Sequence, residues 1–243
     1  MSGLIPLHEA FLVEAQRLRA KHASQINILI GFEGEWIRSS YGSYIKELAS
    51  NPVIDYFIGS VHHVHTIPID YDAAFYAKAR DVAGGSDERL FEDYFDSQFE
   101  MLNVLKPRVV GHFDLIRLLS SRPNASLKEM EGVWERVVRN LKVVVAQGGL
   151  LEINSSALRK GLQEPYPMRC VCEEFLSLGG RLTLSDDSHG IVQVGTNFDR
   201  AIAYLESLGV EEVFTLQGKG IAGTSEVGVK RVALKSVKES FKP

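Results

Sequence analysis

Apolar and polar positions along this chain follow two alternating periods. Residues 6–22 place Leu7, Phe11, Leu12, Ala15 and Leu18 three or four apart, which puts them on one face of a helix. An apolar run near 26–32 follows, then a short helix over 44–49 and a second run at 53–61. Helical spacing returns over 71–83 and 88–105, with an apolar run at 107–111 after it. A helix over 126–146 is expected to open on Ser126 and Glu129, which have the spacing of a capping box. Gly148-Gly149 closes it before a strand at 150–154. A helix over 167–178 ends at Gly179-Gly180, a strand spans 181–185, a helix covers 194–208 up to Gly209, and a last strand lies at 212–216.

Short runs that are apolar on both faces suit strands buried on both sides. About six of them with helices between predict a parallel α/β sheet or barrel. Residues 217–243, rich in Gly, Ser, Val and Lys, show no strong periodicity and are expected to give a short strand or helix at most, with a mobile basic end. No repeat, low-complexity tract or linker divides the chain. It therefore reads as one domain over 1–243, with an N-terminal helix over about 1–22 and a weakly structured segment over about 217–243. The length of 243 residues suits one α/β barrel.

Composition narrows the partners. The net charge of −4 argues weakly against nucleic acid, which selects for a basic face, and a phosphorylated ligand would need local cations rather than a global field. No segment approaches the length of a membrane span, and the N-terminus lacks the pattern of a secretion signal. The two cysteines, Cys170 and Cys172, are too close for an easy disulfide and lack a second pair to complete a metal site. They read as inert helix positions in a protein of the reducing cytoplasm.

Candidate chemistry sits where the apolar runs end. In an α/β barrel the carboxyl ends of all strands open onto one face, so residues distant in sequence meet there. Glu33, His62, His112, Asp187 and His189 all occupy such positions. Carboxylates and imidazoles together suit hard or borderline divalent metals. Glu33 and Glu35 share a face on extended backbone, although solvated acids at a strand end fit the same letters. His62, His63 and His65 crowd into four residues; His62 and His63 point opposite ways in an extended chain, so one is assigned as a ligand. A solvated histidine-rich loop is the alternative. Asp114 follows His112 by two, a spacing that suits a carboxylate orienting an imidazole, and equally a structural His–Asp pair. Asp187 and His189 alternate onto one side of a polar turn, which could instead cap the next helix. After Leu151–Ser156 come Arg159 and Lys160; a guanidinium grips two phosphate oxygens through its planar fork, while a solvated basic loop reads the same way.

Taken in order, GFEGEW at 31–36, DYFIGSVHHVHTIPID at 55–70, GHFDLIR at 111–117, LEINSSALRK at 151–160, EPYP at 164–167 and LSDDSHG at 184–190 resemble one family. It is the histidinol-phosphatase branch, of fungal type, of the polymerase-and-histidinol-phosphatase (PHP) superfamily. The likeness runs from about residue 10 to about residue 215. It implies a distorted (β/α)7 barrel, a centre of two or three divalent ions (Zn, Mn or Fe), and hydrolysis of L-histidinol phosphate to L-histidinol and phosphate. By position, Glu33 bridges two metals, His62 and His112 complete the second, Asp187 serves the first and His189 the third. Arg159 is the leading phosphate anchor, with Arg117 and Lys160 behind it, and Asp114 and Asn154 stand behind the ligands. Glu33, Asp187 and Arg159 make up the catalytic set.

The family opens with a strand bearing His-x-His, whereas here only His8 and His22 precede Glu33, both in a helix-like segment. An incomplete barrel is therefore expected, with an unpaired edge near 26–32 unless residues 1–22 cover it. One metal site is expected to be complete and the others short of ligands, so activity should be impaired. The ligand atoms should lie within a sphere of roughly 10 Å. The rival readings are a catalytically silent remnant with a binding role, a PHP phosphoesterase for another phosphomonoester, and the RNA-binding PHP-like subunit of ribonuclease P. The acidic balance and the retained ligands speak against the last. The expected partner is a small phosphate ester, without nucleic acid or membrane, and the oligomeric state is left open.

Overall fold

The computed structural model describes residues 4–218 and 227–241. Helix α1 (Leu4–Lys21) leads to strand β1 (Gly31–Glu35), helix α2 (Gly42–Ala49) and strand β2 (Tyr56–Ser60). A small hairpin, β3 (His63–Val64) and β4 (Ile67–Pro68), precedes helices α3 (Ala73–Val82) and α4 (Asp87–Leu105). Then come β5 (Val109–Val110), α5 (Glu131–Ala146), β6 (Leu150–Asn154), the single turn α6 (Ser156–Arg159), α7 (Arg169–Ser177), β7 (Arg181–Ser185) and α8 (Phe198–Ser207). Strands β8 (Glu212–Gln217) and β9 (Gly228–Ala233) and helix α9 (Leu234–Ser240) finish the described chain.

Five strands form one parallel sheet in the order β1-β2-β5-β6-β7. All five residues of β6 are buried, as an apolar run at the middle of such a sheet requires. Helices cover the sheet through apolar stripes. Val133, Val137, Leu141 and Val144 of α5 repeat at helical spacing and join Leu90, Tyr94, Phe95 and Met101 of α4 in the main core. Two buried amides tie these helices together: Asn140 donates to the Phe95 carbonyl at 2.7 Å and to Gln98 Oε1 at 3.1 Å. Gln98 and the Tyr94 hydroxyl both donate to the carbonyl of Phe113, at 2.9 and 3.2 Å. The turn that follows β5 is thereby anchored to α4.

The sheet does not close among the described residues. β1 and β7 are its two edges, and a cavity of about 430 Å³ lies inside the curve between them, lined by Asn27, Tyr56, Ile58, Glu152, Thr183 and Leu216. Helix α1 covers the approach to the β1 edge, where Leu12 packs with Ile30 and Ile54. Among the described residues no helix is long and apolar enough to cross a membrane.

Four sequence expectations need correction. The strand expected at 26–32 lies at 31–35, because Asp55 accepts the Ile30 amide at 2.7 Å and so ends the irregular approach there. Glu33 and Glu35 are therefore within the strand rather than beyond it. Ser126 caps a 3₁₀ turn over Leu127–Glu129 by accepting from Lys128, and α5 starts only at Glu131; Glu129 pairs outward with Arg122. The strand at 212–216 exists but does not extend the parallel sheet. It pairs antiparallel with β9, setting Val213 opposite Val232. The tail expected to be weakly ordered thus supplies both β9 and α9, whose Leu234 is buried, while 219–226 and 242–243 lie outside the described residues.

Candidate metal centre

Strands β1, β2 and β5 lie side by side, with Gly59 level with both Gly34 and Val110. This register sets Glu33 opposite Ile58 and carries His62 and His112, each two residues past its strand, to the same carboxyl end. Gly111 makes the close approach possible. A Cβ there would stand 2.6 Å from Ser60 Oγ and 2.8 Å from Ile58 Cγ2, so a larger residue would push β5 away from β2.

Glu33 Oε1 is the focus. It lies 2.9 Å from His112 Nε2 and 3.5 Å from His62 Nε2. The two imidazoles meet edge to face, with centroids 4.6 Å apart. One donor atom from each of Glu33, His62 and His112 falls within 4.8 Å of the others. Around a tetrahedral ion with bonds near 2 Å, donors stand about 3 Å apart, so this set fits one divalent cation. Its mixture of imidazole and carboxylate suits a borderline metal. His112 is buried, and its Nδ1 has no hydrogen-bond partner.

Electrostatics couple the three residues. Burial alone would raise the Glu33 pKa, but the hydrogen bond and charge of His112, with His62 behind, push it well below the usual carboxylate range. About 39 % of the Glu33 side-chain surface reaches solvent, which tempers that burial. Burial would lower the His112 pKa, yet the adjoining Glu33 carboxylate outweighs it and raises the value to about 9. Both shifts describe one imidazolium–carboxylate pair, whose proton a cation would replace.

The other expected residues are placed differently. Asp187 adopts a left-handed conformation, φ 50°, and its Oδ2 accepts from Ser156 Oγ at 3.2 Å. Its charge acts on His112, but neither Asp187 nor His189 joins the cluster of three. His189 is 75 % exposed, with Nδ1 3.0 Å from the Asp187 carbonyl. Three of the five residues thus form the tight cluster, and the turn that carries Asp187 and His189 follows β7, two strands beyond β5.

Among the cations, Arg159 donates to the carbonyls of Asp186 and Asp187, at 3.1 and 3.0 Å, and so clasps that turn. Arg117 is 2 % exposed and donates to Asp114 Oδ2 and to the carbonyls of Pro123, Glu164 and Pro165. This corrects its expected role, since the guanidinium is committed to four acceptors within the chain rather than presented to a ligand. Lys160 is exposed, forms no salt bridge among the described residues, and stands 6.0 Å over the Tyr166 ring.

Asp114 does not orient His112. Its Oδ2 accepts from Arg117 and from the Met168 amide, and Oδ1 is buried without a partner. Asn154 donates at 3.0 Å to Glu152 Oε2, the carboxylate oxygen that also accepts the His112 amide.

Two carboxylates were left unassigned by the sequence reading. Glu152 accepts the His112 amide at 2.8 Å, and Glu35 accepts the His62 amide at 3.2 Å. Glu35 Oε1 also lies 2.9 Å from His63 Nδ1. Its Oε2 is in ion-pair contact with His62 Nδ1 at 2.8 Å. Burial opposes its ionisation, and the two histidines more than offset this, bringing Glu35 down to about 2. Alternation offered a signal for Glu35, which lies two residues from Glu33; Glu152 was hidden inside an apolar strand.

The PHP domain family matches residues 7–156. A probable histidinol-phosphatase of Schizosaccharomyces pombe is 41 % identical over 239 residues, covering 98 % of this chain and 78 % of its own length. The histidinol-phosphatase of Saccharomyces cerevisiae is 36 % identical over 222 residues, covering 80 % of this chain and 66 % of its own. Among solved structures, the histidinol phosphate phosphatase of Lactococcus lactis, complexed with Zn, L-histidinol and phosphate, superposes with a TM-score of 0.64. That match covers 91 % of this chain and 79 % of the other, and at 20 % identity it speaks for the fold.

Proposed function

The chain belongs to the PHP-domain family, with the histidinol-phosphatases as its relatives, and from this we propose that it is a metal-dependent phosphatase hydrolysing L-histidinol phosphate to L-histidinol and phosphate. The observation that carries the reading is the meeting of Glu33, His62 and His112 at the carboxyl ends of three adjacent strands. These residues would hold the divalent ion, Zn, Mn or Fe. Such an ion supplies Lewis acidity toward phosphoryl oxygens and toward water.

The chain's own groups divide the remaining work. Glu33 stays ionised beside two imidazoles and presents a carboxylate to the centre at any working pH. Asp187 and His189 offer further donors from the turn after β7, and Arg159 sets the conformation of that turn through two carbonyls. Lys160, which forms no salt bridge among the described residues and stands over the Tyr166 ring, is a cation available to meet a phosphate oxygen. In this reading Arg159 shapes the site and Lys160 contacts the ester. The triad binds one ion firmly, and positions relying on Asp187 or His189 bind theirs less tightly.

Phosphate release decides the question. The chain, stripped of metal and then given Zn²⁺ or Mn²⁺, should hydrolyse L-histidinol phosphate faster than other phosphomonoesters. Glu33→Gln and His112→Ala should lose bound metal and turnover together. Release that needs no metal, or a preference for another ester, would overturn the assignment.

A further inference from the structure

The two histidines of the triad share an arrangement that the reaction itself does not demand. Each has its backbone N–H taken by a carboxylate from the strand on its outer side. His62, at the end of β2, donates to Glu35 of β1 at 3.2 Å; His112, at the end of β5, donates to Glu152 of β6 at 2.8 Å. The strand order β1-β2-β5-β6 makes this a symmetric brace, with ligand strands inside and carboxylate strands outside.

We propose that Glu35 and Glu152 are the positioning residues of the metal centre, fixing the main chain of His62 and His112 so that both imidazoles face Glu33. The inference rests on reading Glu33, His62 and His112 as the metal site.

Their surroundings argue against an ordinary structural role. Glu152 is 3 % exposed and has no Lys or Arg salt-bridge partner among the described residues. A buried carboxylate that no lysine or arginine pairs costs free energy that an apolar residue in the same strand would not, and the positive charge it does face is that of His112 itself. What it gains is the His112 amide, the Asn154 amide group at 3.0 Å and the hydroxyl of Ser185. Neither carboxylate belongs to the cluster of donor atoms itself. Glu35 goes further than Glu152, because it touches the His62 ring and also holds His63, which is not one of the clustered three. A histidine side chain can face a metal accurately only if its own backbone is fixed, and here neighbouring strands do the fixing.

The test is metal affinity, measured by Zn²⁺ competition against a chelating dye, with thermal unfolding of the metal-free chain alongside. Glu35→Ala and Glu152→Ala should each weaken Zn²⁺ binding by about 10–100-fold, the range found when groups behind the ligands are removed. Glu35→Gln and Glu152→Gln keep an acceptor for the amide and should recover most of the loss. Alanine variants that bind within about twofold of the parent, or glutamine variants as weak as the alanine ones, would overturn the proposal. If an alanine variant fails to fold, Glu152→Asp, which keeps the charge and loses the reach, decides instead: weakened binding supports the brace and parent-like binding overturns it. Failure of the parent to bind Zn²⁺ would sink the metal-site reading itself, a distinct result.

Discussion

Replacing Arg117 by Met should unfold the protein far more readily while leaving the surface of the metal centre alone. Arg117 sits beneath the site, with side-chain exposure of 2 %, beside Asp114 at 0 %. Removing it takes the Nε donor, at 2.9 Å, from Asp114 Oδ2, whose other oxygen already has no partner. The carbonyls of Pro123, Glu164 and Pro165 lose a donor in the same step, and so does the face of Tyr166, over which the guanidinium lies at 5.1 Å. Methionine fills much of the volume, so the loss is chiefly polar. Breaking one side of a buried ion pair costs about 3–5 kcal/mol. For a domain of this size each kcal/mol lowers Tm by about 2–4 °C, so the midpoint should fall by about 6–20 °C. Urea and thermal unfolding of the metal-free variant and parent would measure it, with phosphate affinity followed in parallel. An unchanged midpoint together with weakened phosphate binding would refute the reasoning, because Arg117 would then be a ligand contact and not a strut.

Three further outcomes follow from the same structure. Lys160→Ala should raise KM for the phosphate ester with little change in Tm, since the ammonium is exposed and joined to no carboxylate among the described residues; an unchanged KM would remove it from the site. Asp87 accepts from the Ser121 amide and hydroxyl and from the Tyr76 hydroxyl, which outweigh its burial and lower its pKa from 3.8. A depressed native pKa stabilises the fold above the ordinary value and is lost as pH falls through it, so Asp87→Asn should flatten the loss of stability below about pH 4. A parent-like acid limb would count against this. Cys170 and Cys172 are buried, and burial pushes the Cys172 thiol well up, so a thiol reagent should label them only after denaturation; rapid labelling of the native chain would contradict the packing.

The elements most legible in the sequence were those with a long period. The stripe of α5 and the largely apolar β6 announced themselves, and His62 and His112 stood out as polar residues directly after apolar runs. What escaped was decided by partners elsewhere in the chain. The start of β1 depends on Asp55 reaching the Ile30 amide, which no local pattern encodes. Asp114 has the right spacing to serve His112, yet Arg117 and the Met168 amide take its carboxylate instead. Ser126 and Glu129 match a capping box, but a 3₁₀ turn intervenes before α5 begins. The β8–β9 pairing was invisible because Lys230 and Arg231 interrupt the apolar positions of β9, which gains its order from β8 opposite. Glu152 was overlooked because one carboxylate in a run of buried residues reads as a blemish until the amide it accepts is seen.

The open sheet also governs how errors of shape accumulate across the site. Adjacent strands are rotated by about 20–25°, so four steps from β1 to β7 compound to about 80–100°. Glu33, His62 and His112 span only the first two of these steps, and their spacing works like a short dimension chain, insensitive to small changes in curl. Asp187 stands at the far end, where every change in twist along the way is summed and, among the described residues, no closing strand returns it to the start. Pressure, temperature or a distant core substitution should therefore disturb the Asp187 turn well before the triad. Two tolerances are thus built into one end of the sheet, a tight one set by neighbouring strands and a loose one set by the whole sheet.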